Sequence, residues 1–434
     1  VLLPCIAPYL LAGLITATIL EASVERIGRA YFWNLAGSAA GCAIAIPLLR
    51  PLGAERVVAL TAVAAAAAAL ISSWRSPGAA RWASAGAIVA GLAVVPFAPA
   101  LMPFQPDSNE AMTKMEVQDG GMGRPAPVRE FTEWDPLGRI DVVRHGRPEI
   151  YVSEPTGFRT VTIDGGAMTL IIEDTGEPGW GKALFEDSVY AAPYRLKERP
   201  DVLVIGVGGG SDINTALHWN ARSVTGIEIS LGTIHALTGP YSRFAGWPER
   251  KDVVRLVHCD GRSFVKSTRE RFDILQMSGV DTFTMHSAGS MVLAEDYLYT
   301  VDAFVDYFEV LKPGGILSVA RFGDEGMSLA AIAARALRKA GIEDPADHIV
   351  VMRQMLMSSV LVKLEPFTAE EMSAITGMEA RTRDSGIIIP HYDAMGIRLG
   401  LPIQLLHPAA SRPDRRYDRY FAALADGREG EALR

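Results

Sequence analysis

Four stretches without a charged side chain, residues 1–20, 30–49, 57–74 and 82–106, limit what this chain can fold into more than any other feature. Each approaches or exceeds the roughly 18–20 apolar residues that a helix needs to cross the hydrocarbon core of a bilayer. Within the third, Ala62 to Leu70 is apolar all round and leaves no polar face for water. Four such runs in succession argue against a cleaved secretory leader. About four transmembrane helices are therefore expected over residues 1–103, with four buried helices of a large soluble protein as the alternative. Val1 stands inside a hydrophobic run without a Met, so we expect the chain to be part of a longer membrane protein. The connections carry Arg26 and Arg29, Arg50 and Arg56, then Arg75 and Arg81, so positive charge does not choose an orientation.

Charge separates the two parts of the chain. The formal net charge is −8, yet residues 1–103 hold six Arg and three Glu, which leaves the remainder at −11. An acidic domain is a poor partner for a nucleic acid, and none is expected. It is compatible with a cationic small substrate. Cys5, Cys42 and Cys259 have no spacing that suggests a disulfide framework or a metal site, which fits a reducing compartment.

After Pro106 the composition turns to Gly, Pro, Met and mixed charge, and residues 104–135 read as a linker. Over residues 136–190 the short alternating runs "RIDVV", "EIYV", "RTVTID" and "MTLIIE" suggest a small antiparallel β subdomain. Residues 191–376 alternate strand and helix. "DVLVIGV", "SVTGIEI", "VVRLVHCD", "FDILQMS" and "GILSVAR" read as strands, with "HIVVMRQ" and "SSVLVKL" able to close the sheet. Helices are expected at Asp212–Trp219, Val301–Leu311 and Leu329–Ala340, and one more beyond Pro366. The pattern predicts an α/β fold with a mostly parallel, doubly wound, Rossmann-like sheet. Residues 377–434 form a C-terminal extension.

Ligands of such sheets bind at the carboxyl ends of the strands, near the switch point. There "VLVIGVGGGSD" supplies Gly206, Gly208 and Gly210, which permit a tight turn and close approach of a ligand. Glu228 ends the second strand, 22 residues after Gly206, where an acid can accept bonds from both ribose hydroxyls. Asp260, followed by Gly261, ends the third and can reach an adenine amino group. Ser211 stands where a dinucleotide fingerprint asks for glycine, and no Lys-Ser/Thr follows the glycines. NAD and ATP are thereby disfavoured.

The glycines, the two acids and "LKPGG" (Leu311–Gly315) resemble the class I S-adenosylmethionine-dependent methyltransferase fold. "DILQMSGVDTF" with "EDYLYTVDAFVDYFEVLKPGGILSVAR" looks like its spermidine-synthase-like branch. "VTIDGGAMT" is similar to the preceding β-hairpin. "WDPLGRIDVV" and "YFWNLAGSAAGCAIAIPLL" resemble bacterial members fused to a multispanning membrane region. The resemblance implies S-adenosylmethionine or its decarboxylated form as donor, without a metal. Gly206, Gly208, Gly210, Glu228, Asp260 and Gly261 would hold it.

The sequence departs from the polyamine synthases at informative places. Gly209 stands where they carry an acid in the glycine loop, and Ser278 replaces the first Asp of their Asp-x-x-Asp pair. The second is Asp281. "SVYAAPYRL" keeps Tyr190 without the acid that follows it in the family. Asp281 is the candidate base or amine anchor, a loop cap being its alternative, with Tyr299 and Tyr190 as pocket walls. Asp212 and Glu295 are further acids near the pocket, and His286 is an alternative base. The expected activity is aminopropyl or similar alkyl transfer to an amine. Methyl transfer to a small or lipid-associated acceptor and a non-catalytic nucleoside-binding role are the alternatives. Both donors are cytosolic, so the domain is expected to face the cytoplasm from a bacterial inner membrane.

Overall fold

The computed structural model describes residues 2–74, 78–102, 128–144, 157–165, 167–174, 185–280, 297–322, 325–354, 357–385, 403–406, 422–423 and 427. Contacts divide the chain into two units, residues 1–105 with 133–138, and the remainder.

The first unit is built from α1 (Leu2–Ala22), α2 (Ile27–Leu52), α3 (Ala54–Ser72) and α4 (Gly78–Val94). Three helical segments are long and apolar enough to cross a membrane: Val24–Leu52, Ala54–Ser72 and Gly78–Leu101. The expected count of about four becomes three among the described residues, because the described apolar part of α1 runs only from Leu10 to Ala22. Protein buries none of the side chains of α2 or α4 and only Ala59 of α3. Phe32, Trp33, Ile71, Trp82 and Val89 are all more than half exposed. So much apolar surface belongs in lipid rather than water. Gly91 lets α4 approach α3 closely, since a Cβ there would lie 2.8 Å from a methyl of Val63. The Arg81 guanidinium lies 5.8 Å and 5.9 Å from the rings of Trp74 and Trp82, the pairing expected where a helix meets the headgroups.

Two sheets follow, which belong to the second unit apart from Glu133–Asp135 and Gly138. The smaller has the order β1-β2-β3-β4, with β1 Val128–Asp135, β2 Gly138–Arg144, β3 Phe158–Ile163 and β4 Ala167–Ile172. β1 lies within the stretch read as linker, and "EIYV" lies outside the described residues. The larger sheet contains β5 (Asp201–Ile205), β6 (Ser223–Glu228), β7 (Val254–His258), β8 (Phe272–Ser278), β9 (Leu311–Phe322), β10 (Ile349–Gln354), β11 (Met357–Lys363) and β12 (Gln404–Leu405). Their order is β12-β10-β11-β9-β8-β5-β6-β7. β5 through β9 are parallel and follow the 3-2-1-4-5 order of a doubly wound Rossmann-like sheet, with the switch point between β5 and β8. The sheet is more mixed than expected, because β11 pairs antiparallel with both β9 and β10, and β12 with β10. The cause is local: only Met355 and Leu356 separate β10 from β11, and so short a connection permits only a hairpin.

Both faces of this sheet are covered, which is why its strands read as unbroken apolar runs. Leu203, Ile205, Leu275, Leu317 and Val319 face α8 (Val301–Glu309) and α9 (Gly326–Lys339). Val202, Val204, Val224 and Ile274 pack on the opposite side with α5 (Ser211–His218), α6 (Leu231–Thr238) and the inward residues Ile140, Val142, Val161 and Ile171 of the small sheet. A third cluster joins Ile316, Val350 and Leu361 to the 3-10 helix Val189–Leu196 and to α10 (Ala369–Ser385).

"LKPGG", expected as a turn before a strand, is drawn into β9. Leu311 pairs with Phe272 and Ile316 with Ile274, so the intervening residues are extruded as a bulge. The bulge has a partner. Lys312 Nζ lies 2.5 Å from Asp201 on β5 and 2.8 Å from Asp273 on β8, and Arg222 shares Asp201. The Arg222 hydrogen bond, helped by Lys312 and Ser223, holds the Asp201 carboxyl well below its ordinary value of 3.8 despite its partial burial. Three neighbouring strands are thus clamped at their amino ends, opposite the edge where a ligand would bind.

Lys312→Met is expected to destabilise this domain by about 2 kcal/mol, read as an earlier urea midpoint of tryptophan fluorescence at pH 7. Because the folded pKa of Asp201 is depressed, its contribution is present above its ordinary value and lost as pH falls below it. The gap between variant and wild type should therefore close in acid, and an unshifted midpoint at pH 7 would count against the clamp.

Candidate functional site

At the carboxyl edge, β5 runs into a loop in which Gly206, Gly208 and Gly210 have φ of +78°, +51° and +89°. Side chains other than glycine rarely adopt such values. The next two strands end beside it: Gly206 N–H donates to Ile227 O at 2.9 Å, and Cys259 N–H to Glu228 O at 3.1 Å. The fold therefore brings the glycine loop, Glu228 and Asp260 onto three adjacent strand ends, in the order the sequence suggested.

The loop amides are spoken for. Gly208 N–H donates to Glu228 Oε2 at 2.9 Å, Gly209 N–H to Thr169 Oγ1 at 3.2 Å, and Gly210 N–H to Val207 O at 2.8 Å. A loop that cradles a pyrophosphate presents these groups to the ligand. Here they are consumed within the protein, so a phosphate would have to displace existing bonds. Glu228 also accepts from Ser230 N–H at 2.8 Å. A carboxylate has about four lone-pair sites, so Glu228 can accept several bonds at once. Asp260 caps α7 (Gly261–Ser267) by accepting from Ser263 N–H at 2.8 Å. Gly261 has a packing reason as well, since a Cβ there would lie 2.4 Å from Ile205 Cγ2. Ile229, directly after Glu228, is an apolar side chain left 50 % exposed. Only its exposure distinguishes it.

Gly209 has no room for a side chain. A Cβ at this position would sit 2.2 Å from the carbonyl oxygen of Leu170 on β4. Thr169 and Leu170 press against the loop from the small sheet, and Ser211 Oγ donates to Leu170 O at 3.1 Å. Trp247 closes the other side, within 2.3 Å of a Cβ on Gly210.

A second group of polar side chains lies at the switch point, on the sheet face carrying Val204 and Ile274. Asp212, in the first turn of α5, accepts from Gln276 Nε2 at 2.8 Å and is hydrogen-bonded to Ser278. Burial pushes its carboxyl up to about 7, against the opposing effect of these two bonds. Tyr190 and Tyr194 stand close enough that burial and the Asp212 charge hold both phenols protonated, above their ordinary range. Tyr299 packs in the core on the opposite face, where the Arg321 guanidinium lies 4.3 Å from its ring centre. Tyr190 and Tyr299 thus belong to different surroundings. Asp281, His286 and Glu295 lie outside the described residues. Among the described residues no His, Cys, Asp and Glu gather to hold a metal.

No protein-family profile and no curated protein matches this sequence. Among solved structures the chain is similar to the spermidine synthase of Thermotoga maritima, at 17 % identity and TM-score 0.39 over 56 % of this chain and 75 % of that one. It is also similar to a probable spermidine synthase from Corynebacterium glutamicum, at 15 % identity and TM-score 0.39 over 65 % and 96 %. Human methyltransferase-like protein 13 in complex with SAH matches at 15 % identity and TM-score 0.33 over 46 % and 88 %.

Gly209→Ala is expected to cost about 1–3 kcal/mol by forcing β4 from the loop. Gly377→Ala in α10, where an added methyl would meet only Arg381 at 3.6 Å, should be neutral or stabilising. Thermal melts of the two variants test the contrast, and equal melting temperatures would refute it.

Proposed function

We propose that this chain is a membrane-anchored transferase that moves an aminopropyl or similar alkyl group from S-adenosylmethionine or its decarboxylated form to an amine. One observation carries the reading: the glycine-loop amides are consumed within the protein, while Glu228 and Asp260 stand at the next two strand ends. Such a site suits an adenosyl group without a pyrophosphate. Glu228 would accept from the ribose hydroxyls and Asp260 from the adenine amino group. Transfer from a sulfonium is an in-line displacement that needs positioning and an unprotonated nucleophile. Asp281 is the candidate to take the proton or anchor the amine, with Tyr190 as a candidate wall.

A second reading, methyl transfer to a small or lipid-associated acceptor, is favoured by one observation. The backbone of β4 excludes a carboxylate at Gly209, and Ser278 supplies none, so two of the groups that grip a polyamine are missing. In either reading the domain would face the cytoplasm, where the donors are made.

Calorimetry of the detergent-solubilised full chain should detect binding of at least one donor, and no heat from either sinks both readings. Methylthioadenosine among the products would indicate aminopropyl transfer, and adenosylhomocysteine methyl transfer. Asp281→Ala should lower kcat/KM by about 10²–10⁴-fold, and an unchanged value removes Asp281 from the chemistry. Protease added to right-side-out vesicles should spare the α/β domain, and its release from outside would reverse the orientation.

A further inference from the structure

Strand β8 places Ile274, Gln276 and Ser278 on one face at successive alternate positions. Gln276 lies in the interior of the sheet, opposite Val204 on β5 and Ser318 on β9, and is fully buried. An amide in such a position needs partners for both of its halves. Its Nε2 has Asp212 Oδ1 at 2.8 Å and Ser278 Oγ at 3.3 Å, while its Oε1 has no partner. The Tyr194 hydroxyl, on a side chain 1 % exposed, also has none. Asp212 is buried with them, and among the described residues no basic side chain pairs with it. The groups facing it are Gln276 and Ser278 from β8, and Tyr190 and Tyr194 from the 3-10 helix. Ser278 and Tyr190, at its edge, are partly exposed.

A buried carboxylate without a cation, beside an amide oxygen and a phenol with unused acceptor capacity, is complementary to a group with several N–H donors and a positive charge. An anion would meet the Asp212 charge, and an apolar group would leave the acceptors unpaired. We infer that Asp212, Gln276 Oε1 and the Tyr194 hydroxyl form a receptor for an alkylammonium group, admitted past Ser278 and Tyr190. This inference rests on the transferase reading above and goes beyond it, because it relocates the amine-binding carboxylate from strand-end position 278 to helix position 212. Two sources carry that chemistry: the amine on the donor's tail and the acceptor amine.

The test compares wild type with Asp212→Asn in the detergent-solubilised full chain, by calorimetry with three probes. Methylthioadenosine has the nucleoside and no ammonium, decarboxylated S-adenosylmethionine adds an aminopropyl tail, and 1,4-diaminobutane is an amine alone. The variant should bind methylthioadenosine within twofold of wild type and lose at least thirtyfold in affinity for an ammonium probe. Loss confined to decarboxylated S-adenosylmethionine assigns the receptor to the donor, and loss confined to 1,4-diaminobutane to the acceptor. In wild type near pH 7 the bound ammonium should expel a proton from Asp212, so the heat should differ between phosphate and Tris buffers. Should Asp212→Asn fail to fold, the buffer dependence in wild type and a severalfold loss in Tyr194→Phe decide. Unchanged affinity for both ammonium probes, or wild-type binding of both without proton release, overturns the receptor. Failure of methylthioadenosine to bind wild type counts against the nucleoside reading instead, and 1,4-diaminobutane still tests the receptor by itself.

Discussion

The candidate site depends on one apposition, the backbone of β4 pressed against the glycine loop after β5. A Cβ on Gly209 would fall 2.2 Å from Leu170 O, and Thr169 and Leu170 bond the loop at Gly209 N–H and Ser211 Oγ. Backbone cannot yield as a flexible side chain can, so the small sheet dictates the residue at 209. It also takes an amide that a phosphate would otherwise use. A contact made for packing thereby narrows which ligands the loop can serve.

The carboxyl edge of the sheet joins two chemistries on opposite sides of the switch point. Toward β6 and β7, Glu228 and Asp260 are acceptors at strand ends, each already fixed by backbone N–H groups. Toward β8, Asp212 and Gln276 are buried among phenols and apolar strands, where a charge without a partner is costly. In the transferase proposed above, the first environment would take hydroxyls and an amino group, and the second a cation. At the amino end the Lys312 clamp keeps β5, β8 and β9 in register. This matters because Gln276 reaches Asp212 only if β8 and β5 stay aligned.

Much of this was legible in the chain because it depends on local pattern. Runs of charge-free residues define apolar helices whatever their neighbours do, and three of them are long enough to span a bilayer. Strands buried on both faces are continuous apolar runs, so β5 through β11 could be located, as could the order of glycines and acids at their ends. What the pattern could not show was pairing across the fold. "LKPGG" has the composition of a turn, yet Lys312 and the pairing of Leu311 draw it into β9 as a bulge. The closing strands could be located but not oriented, and the short β10–β11 hairpin made that edge antiparallel.

By itself the sequence determined the apolar helices, the alternation of strand and helix, and the residue types at three strand ends, because these follow from periodicity and spacing. Only the tertiary structure decided why position 209 admits no side chain, since the reason lies in the backbone of Leu170, 39 residues earlier. Tertiary packing likewise made Asp212 more than a residue in the first turn of a helix. Its meaning comes from Gln276, 64 residues away, and from a burial that no local pattern records.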